Sequence, residues 1–502
     1  MEPTKRIILN TAIQYVRTFL SMIIMLVSTR ILLKTLGDSD YGLYAVVGST
    51  VFMIGFITVS LASSTQRFLS FSHGVGNKQE LRVIFSNAFY LHLFIALLIA
   101  TVMGILGSTF IGSLKISPDK VDAASFVYVM VLLMTLITFV TAPLRALFVA
   151  RENILYVSVV EVIDALLKLL GTISLQYISY DSLKVYSVIM LSVSCFNLLA
   201  YAIYAFARYE ECHIPSPREL SRSCLKKLTG FAVWNVYSVG SGVVRTQGLA
   251  VIVNHFLGTL VNAAYGISQQ VYNAVSFIAM SILNAVNPQL MKAEGAGNRT
   301  LMLQLSTKES KYSFLMLSLL LIPLVMEMPA ILDFWLDDVP EHAVMFCRFV
   351  LIAYIWDQTT IGLTSANQAI GKIRNYSLLI STTRLLTLPL AWLCLKKGYD
   401  VSVVMTVYLA IDVLIGFMRI PFLKVTGGLC VKSYCQEVYL RCFLPAFGIL
   451  AISWLVTQIP DFDYRFVVTE VLSVLTGIAL IYPFALTNSE RDWIKQRVKR
   501  KR

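Results

Sequence analysis

Long apolar runs broken by short polar connections make up this chain, and the runs have the length of membrane crossings. About 14 stretches of roughly 20 mostly apolar residues can be laid out. They fall near 10–33, 41–63, 83–112, 122–149, 154–176, 185–207, 228–254, 262–287, 312–335, 344–370, 375–395, 401–423, 437–458 and 464–487. Strand-like alternation is absent and few charges interrupt the runs. Each run therefore predicts a helix, which satisfies its own backbone in lipid, and not a barrel strand. The expected fold is all-α and polytopic. Hydrophobic residues are 57% of the chain and charged ones 14%, too apolar a balance for a protein solvated by water. Lys5 and Arg6 before the first run imitate a secretory leader. Arg17 interrupts that run and no small-residue cleavage site follows, so a retained first helix is expected.

The halves of the pattern repeat. Leu36-Gly37 returns as Leu257-Gly258, and Gly74-Val75-Gly76-Asn77 returns as Gly295-Ala296-Gly297-Asn298, both 221 residues on. A weaker echo carries Ala146 and Tyr156 to Ala366 and Tyr376. The first and seventh runs are separated by an even number of crossings, so the repeats run parallel. This gives a six-helix lobe over 1–210, a linker over 211–224, a second six-helix lobe over 225–425, an added helix pair over 435–490 and a basic tail over 491–502. A central cleft is expected between two such lobes. The G-x-G-N copies lack the strand-to-helix setting of a nucleotide fingerprint and read as loop turns.

Charge sets the orientation. The net charge of +13 gathers in Arg208 to Lys227, Lys292 to Lys311 and Arg491 to Arg502, with Arg419 and Arg441 counted at helix ends on the same side. The opposite connections are short, and one is acidic (Asp337, Asp338, Glu341). That asymmetry places both termini in the cytosol and explains the basicity without nucleic acid. Four of the eight cysteines (212, 224, 430, 435) fall in cytosolic connections and four (195, 347, 394, 442) in helices, so no disulfide framework is expected. No Cys or His cluster has metal spacing, and no P-loop is present.

Polar residues inside the runs carry the candidate chemistry. On the first helix Asn10, Gln14, Arg17, Ser21 and Ser28 share a stripe about 60° wide. The seventh has a comparable stripe of Asn235, Ser238, Gly242, Arg245 and Thr246, and the eighth adds Asn273 and Asn284 on one face. Such faces avoid lipid, turning to other helices or to a polar cavity. Arg17 and Arg245, with Gln14, Asn235, Asn273 and Asn284, form the candidate substrate cavity. An uncompensated arginine near mid-membrane costs at least ~2.5 kcal/mol, so each needs water or an anion, and a buried carboxylate in the resting protein is the alternative partner. Guanidinium forks suit phosphate and pyrophosphate. Asp164 and Lys168 are spaced to neutralise each other, and Asp164 is echoed by Arg384, so these three are gating candidates or structural pairs. Glu327, Asp357 and Asp412 are intramembrane carboxylates able to take a coupling proton or Na⁺. No other cofactor and no metal is expected.

The run from Ser28 to Tyr44 (STRILLKTLGDSDYGLY) resembles the leading motif of bacterial polysaccharide, or Wzx-type, flippases. These belong to the superfamily of multidrug, oligosaccharidyl-lipid and polysaccharide exporters, and the 14-helix layout is similar too. The resemblance implies a non-enzymatic carrier in the bacterial inner membrane. It would move an undecaprenyl-pyrophosphate-linked oligosaccharide outward by alternating access, for O-antigen, lipopolysaccharide or another surface polysaccharide. Its implied partners are the lipid-linked cargo, membrane lipids and the polysaccharide polymerase machinery. Functional arginines in the cavity are a property of such flippases, and Arg17 and Arg245 lie on the appropriate helices. Two relatives stay open: an ion-coupled multidrug exporter, whose cationic cargo favours cavity carboxylates and aromatics, and a lipid II flippase. A membrane glycosyltransferase is disfavoured by the short outer connections.

Overall fold

The computed structural model describes residues 3–113, 120–212, 215–216, 219–336, 339–460, 464–488 and 490–492. Asp337, Asp338 and most of the basic tail lie outside them. Among the described residues the fold is helical and without strands. Among the described residues nine helices are long and apolar enough to cross a membrane, and two sharply bent pairs raise the count to eleven. The remainder of the fourteen runs has a plain explanation. The helix Ile154–Ser174 is long enough but carries Glu161, Asp164 and Lys168, and the helical segment Pro3–Val75 spans both of the first two runs. Leu260, Phe447 and Val425 expose 81%, 69% and 85% of their surface, which suits contact with acyl chains and not with water.

The chain forms two compact units. Unit 1 comprises Met1–Val239 and Asn284–Gly297. Its helices are α1 (Pro3–Val75), α2 (Lys78–Ser113), α3 (Val121–Ala150), α4 (Ile154–Ser174), α5 (Ser182–Arg208) and the two ends of α6 (Arg222–Gly295). Polar caps stop and start them where expected: Asn153 accepts from Tyr156 N–H, and Asp181 accepts from Leu183 and Lys184 N–H. Phe85, Leu147, Phe148 and Ile154 are fully buried in its core.

Unit 2 comprises Gly240–Leu283 and Asn298–Arg502. It holds the middle of α6, then α7 (Arg299–Met326), α8 (Met328–Trp335), α9 (Ala343–Gln358) and α10 (Ile361–Ile370). There follow α11 (Ile373–Leu385), α12 (Thr387–Lys396), α13 (Val401–Gly427), α14 (Val431–Tyr434), α15 (Arg441–Thr457) and α16 (Arg465–Leu480). One short π-helical turn precedes α15, over Cys435–Leu440, and another follows α16, over Ile481–Ala485 and containing Pro483. Pro389 lies just beyond the break between α11 and α12, where its missing N–H interrupts the ladder. Gly258 breaks α6 with φ 84° and ψ −179°, a backbone only glycine adopts without strain, so the repeated Leu-Gly mark is here a helix break.

The repeated G-x-G-N motif resolves into three jobs. Gly76 and Gly297, repeat counterparts, both take a left-handed φ (80° and 73°) that ends a helix. Asn77 and Asn298 then start the next, accepting from Glu80 N–H at 3.1 Å and Leu301 N–H at 3.0 Å. The first glycines, Gly74 and Gly295, serve packing, as described below. Beside this turn His73 Nε2 accepts from Arg151 Nη1 at 3.0 Å. Partial burial, with Lys292 and Arg151 close by outweighing Glu211 and Glu152, lowers the imidazole to about 4. Its folded value is below the unfolded 6.5, so its contribution to stability is complete above pH 6.5 and is lost as pH falls toward 4. Melting curves of His73→Gln should therefore fall less steeply than the parent's across that window, and parallel curves would contradict this.

Candidate functional site

Each unit carries a charged cluster inside the apolar part of its bundle. In unit 1, α1 contributes Arg17, α3 Arg145, α4 Glu161, Asp164 and Lys168, and α5 Asn197. Glu161 is gripped by two guanidiniums. Arg17 Nη1 donates to its Oε2, and Arg145 donates to its Oε1 from Nε at 3.0 Å and Nη2 at 2.7 Å. Asp164 accepts from Asn197 Nδ2 at 2.7 Å and pairs with Lys168 Nζ at 2.8 Å, the i, i+4 partner its spacing offers. Three cations against two carboxylates leave the group with a formal surplus of one positive charge. Next to it on α1, Gln14 is buried, and its Oε1 and the Arg17 Nε form no hydrogen bond among the described residues. Asn235 is also buried in unit 1, donating to Ser60 O at 3.1 Å. Asn284 lies in unit 1 and is half-buried.

Unit 2 repeats the arithmetic with different residues. Arg245 on α6 donates to Asp412 Oδ1 at 2.7 Å and to the Tyr408 hydroxyl at 3.0 Å, with its guanidinium 4.2 Å above the Tyr408 ring. Arg419 pairs with Asp357 Oδ1 at 2.8 Å and donates to Thr360 Oγ1 at 3.0 Å. Arg384 on α11 has no ion-pair partner among the described residues of unit 2, and its Nε is buried without a hydrogen bond. It feels Asp412 and Asp357 at longer range and the like charges of Arg245 and Arg419. Beside its Nη1 stands Gly242, where an added Cβ would still be 3.9 Å away. Three arginines and two aspartates again leave one surplus positive charge, here localised on Arg384. Aromatic pairs also lie in unit 2: Tyr272 packs edge-on against Tyr354, and Trp356 packs tilted against Phe417.

Two of the residues singled out by sequence stand apart from these clusters. Glu327, at the end of α7, is 1% exposed and takes Arg465 in a two-pronged bond (3.1 and 3.0 Å) and Thr469 Oγ1 at 2.7 Å. Asn273 is exposed in unit 2. The sequence reading missed Arg145, Arg419 and Tyr408. Arg419, counted by charge pattern among helix ends, is in fact 3% exposed and bonded to Asp357. The signal was there: Tyr408, Asp412 and Arg419 fall on one face of α13 at helical spacing.

Comparison with known proteins agrees with this architecture. Residues 12–173 match the model of the MatE family. No curated protein matches the sequence. A MATE protein in its bent conformation superposes with a TM-score of 0.74 at 14% identity, covering 87% of this chain and 97% of that one. An outward-facing multidrug resistance MATE transporter of the MOP superfamily gives 0.74 at 13%, covering 86% and 97%. A MOP superfamily transporter from Pyrococcus furiosus, described as having a binding pocket of reversed polarity, gives 0.73 at 14%, again over 86% and 97%. The chain has the multi-pass membrane fold of the MATE transporters of the MOP superfamily.

Proposed function

We propose that this protein is an alternating-access flippase for a lipid-linked oligosaccharide whose headgroup carries pyrophosphate. The observation that supports this most is the sign of the intramembrane clusters: each holds one cation more than its carboxylates neutralise, and in unit 2 the surplus is Arg384, which has no ion-pair partner among the described residues of that unit. A guanidinium held in a low-dielectric interior without an anion is costly, and an anionic cargo would remove that cost while bound. The forked donors of Arg384 suit the paired oxygens of a phosphate. Asp412 and Asp357 keep Arg245 and Arg419 neutralised when cargo is absent, and they compete with a bound anion, which favours release. Amide and hydroxyl groups near the clusters offer partners for sugar hydroxyls, while the polyprenyl tail stays in the bilayer. Surface polysaccharide assembly in a bacterial inner membrane, with both termini cytosolic, is the setting this cargo implies. A coupling proton or Na⁺ would act at the aspartates.

The aromatic residues Tyr272, Tyr354, Trp356 and Tyr408 favour a second reading, a multidrug exporter, because ring faces attract organic cations. The charge surplus opposes it. Reconstituted protein should translocate an undecaprenyl-pyrophosphate oligosaccharide under a proton or Na⁺ gradient. Movement of organic cations alone would replace the first reading by the second.

A further inference from the structure

The two copies of the repeated motif meet each other. In unit 1 the end of α1 packs on the end of α6 so closely that a Cβ on Gly74 would lie 2.2 Å from Lys292 O. A Cβ on Gly295 would lie 2.1 Å from Phe71 O. Lys292 is the repeat counterpart of Phe71, and Gly295 that of Gly74, each 221 residues on. The contact is thus its own image under the repeat, backbone against backbone, and only glycine permits the approach. Even alanine at either position would force the two helices apart.

Polar groups clasp the same crossing. Glu152, on the α3–α4 connection, is 8% exposed and binds Lys292 Nζ at 2.6 Å and Gln289 Nε2 at 3.2 Å. It does so from a left-handed backbone with φ 59°, a strained conformation for glutamate that its contacts must hold in place. Arg67 lies over Phe68, Phe71 and Phe231, with ring centroids 4.5–5.4 Å from its guanidinium, and it is attracted by Glu294. At the other end of α6, near its start, Leu228 O accepts from Ser64 Oγ of α1 at 3.2 Å. None of these groups belongs to the charged cluster of unit 1.

We infer that this crossing is a latch: within unit 1 it holds the end of α1 against the end of α6 on the face that the charge pattern assigns to the cytosol, and it separates in each cycle to admit cargo. The inference rests on the alternating-access reading given above. Its parts suit a reversible closure. Glycine packing supplies shape without a large apolar area to pull apart, and the Glu152–Lys292 pair is strong when dry and replaceable by water when open. The strained backbone of Glu152 is released when the carboxylate lets go.

The test uses the full-length chain with its native cysteines replaced and new ones at Val75 and Ala296, which are exposed repeat counterparts beside the two glycines. A short, cleavable bifunctional thiol linker between them should stop translocation of the lipid-linked oligosaccharide, and cleavage should restore it. Translocation that continues with the linker in place overturns the latch. Spin labels at the same two sites decide independently of any cargo. The parent should show a short-distance population that Gly74→Leu with Gly295→Leu abolishes and that Glu152→Gln, which leaves the glycine packing intact, diminishes. An unchanged short distance in both variants overturns the proposal. A protein that moves no lipid-linked cargo in any form refutes the transport reading, while the spin-label arm still decides whether the crossing opens.

Discussion

Arg384→Gln is expected to leave the folded protein as stable as its parent, or more so, while removing its ability to carry a pyrophosphate-linked lipid. Arg384 has no ion-pair partner among the described residues of unit 2, so its removal strands no carboxylate, and the like charges of Arg245 and Arg419 are relieved of a neighbour. Loss of a two-pronged charged contact to phosphate is worth about 3 kcal/mol, roughly a hundredfold in affinity. Residues kept at a cost to stability mark function, and this one should separate the two properties cleanly. Arg384→Lys keeps the charge but loses the fork, and should recover transport only in part. A melting temperature that drops sharply in Arg384→Gln would assign the residue a structural role instead.

Asp412→Asn should do the opposite to stability within the same cluster. Asp412 and Arg245 are each 11% exposed and bonded at 2.7 Å, so neutralising the aspartate leaves a buried guanidinium uncompensated, at a cost of about 3–5 kcal/mol. Adding Arg245→Met should restore most of the loss, because with both charges gone no ion is left buried without a partner. Thermal unfolding of the two single variants and the double variant measures this as a cycle. Additive losses would show that the two residues do not interact.

Much of the architecture was legible from the apolar runs alone, since lipid demands helices of a fixed length and leaves few alternatives. The turn chemistry was legible too: Gly76 and Gly297 end helices, and Asn77 and Asn298 begin them, as their residue types suggest. What the glycine turns concealed was Gly74 and Gly295, whose role is fixed by a neighbour 221 residues away in sequence and not by local backbone. The same limit governs the charges. Asp164 and Lys168 pair on one helix and could be read from their spacing. Arg145 with Glu161, and Arg419 with Asp357, pair across helices whose rotation is set by packing. Arg17 and Arg245, each weighed between a carboxylate and a cargo, hold carboxylates in this structure. Arg384, considered chiefly as a gate, is left as the surplus cation of its unit.

The central claim is that the intramembrane site is built for an anion. The most direct measurement is equilibrium binding of a pyrophosphate-headed polyprenyl lipid and of a lipophilic organic cation to purified parent and Arg384→Gln proteins. The account predicts that the parent binds the pyrophosphate lipid, that Arg384→Gln loses this binding while melting no lower than the parent, and that the cation binds neither well. Tight binding of the cation by the parent, with the pyrophosphate lipid indifferent to Arg384, would contradict it.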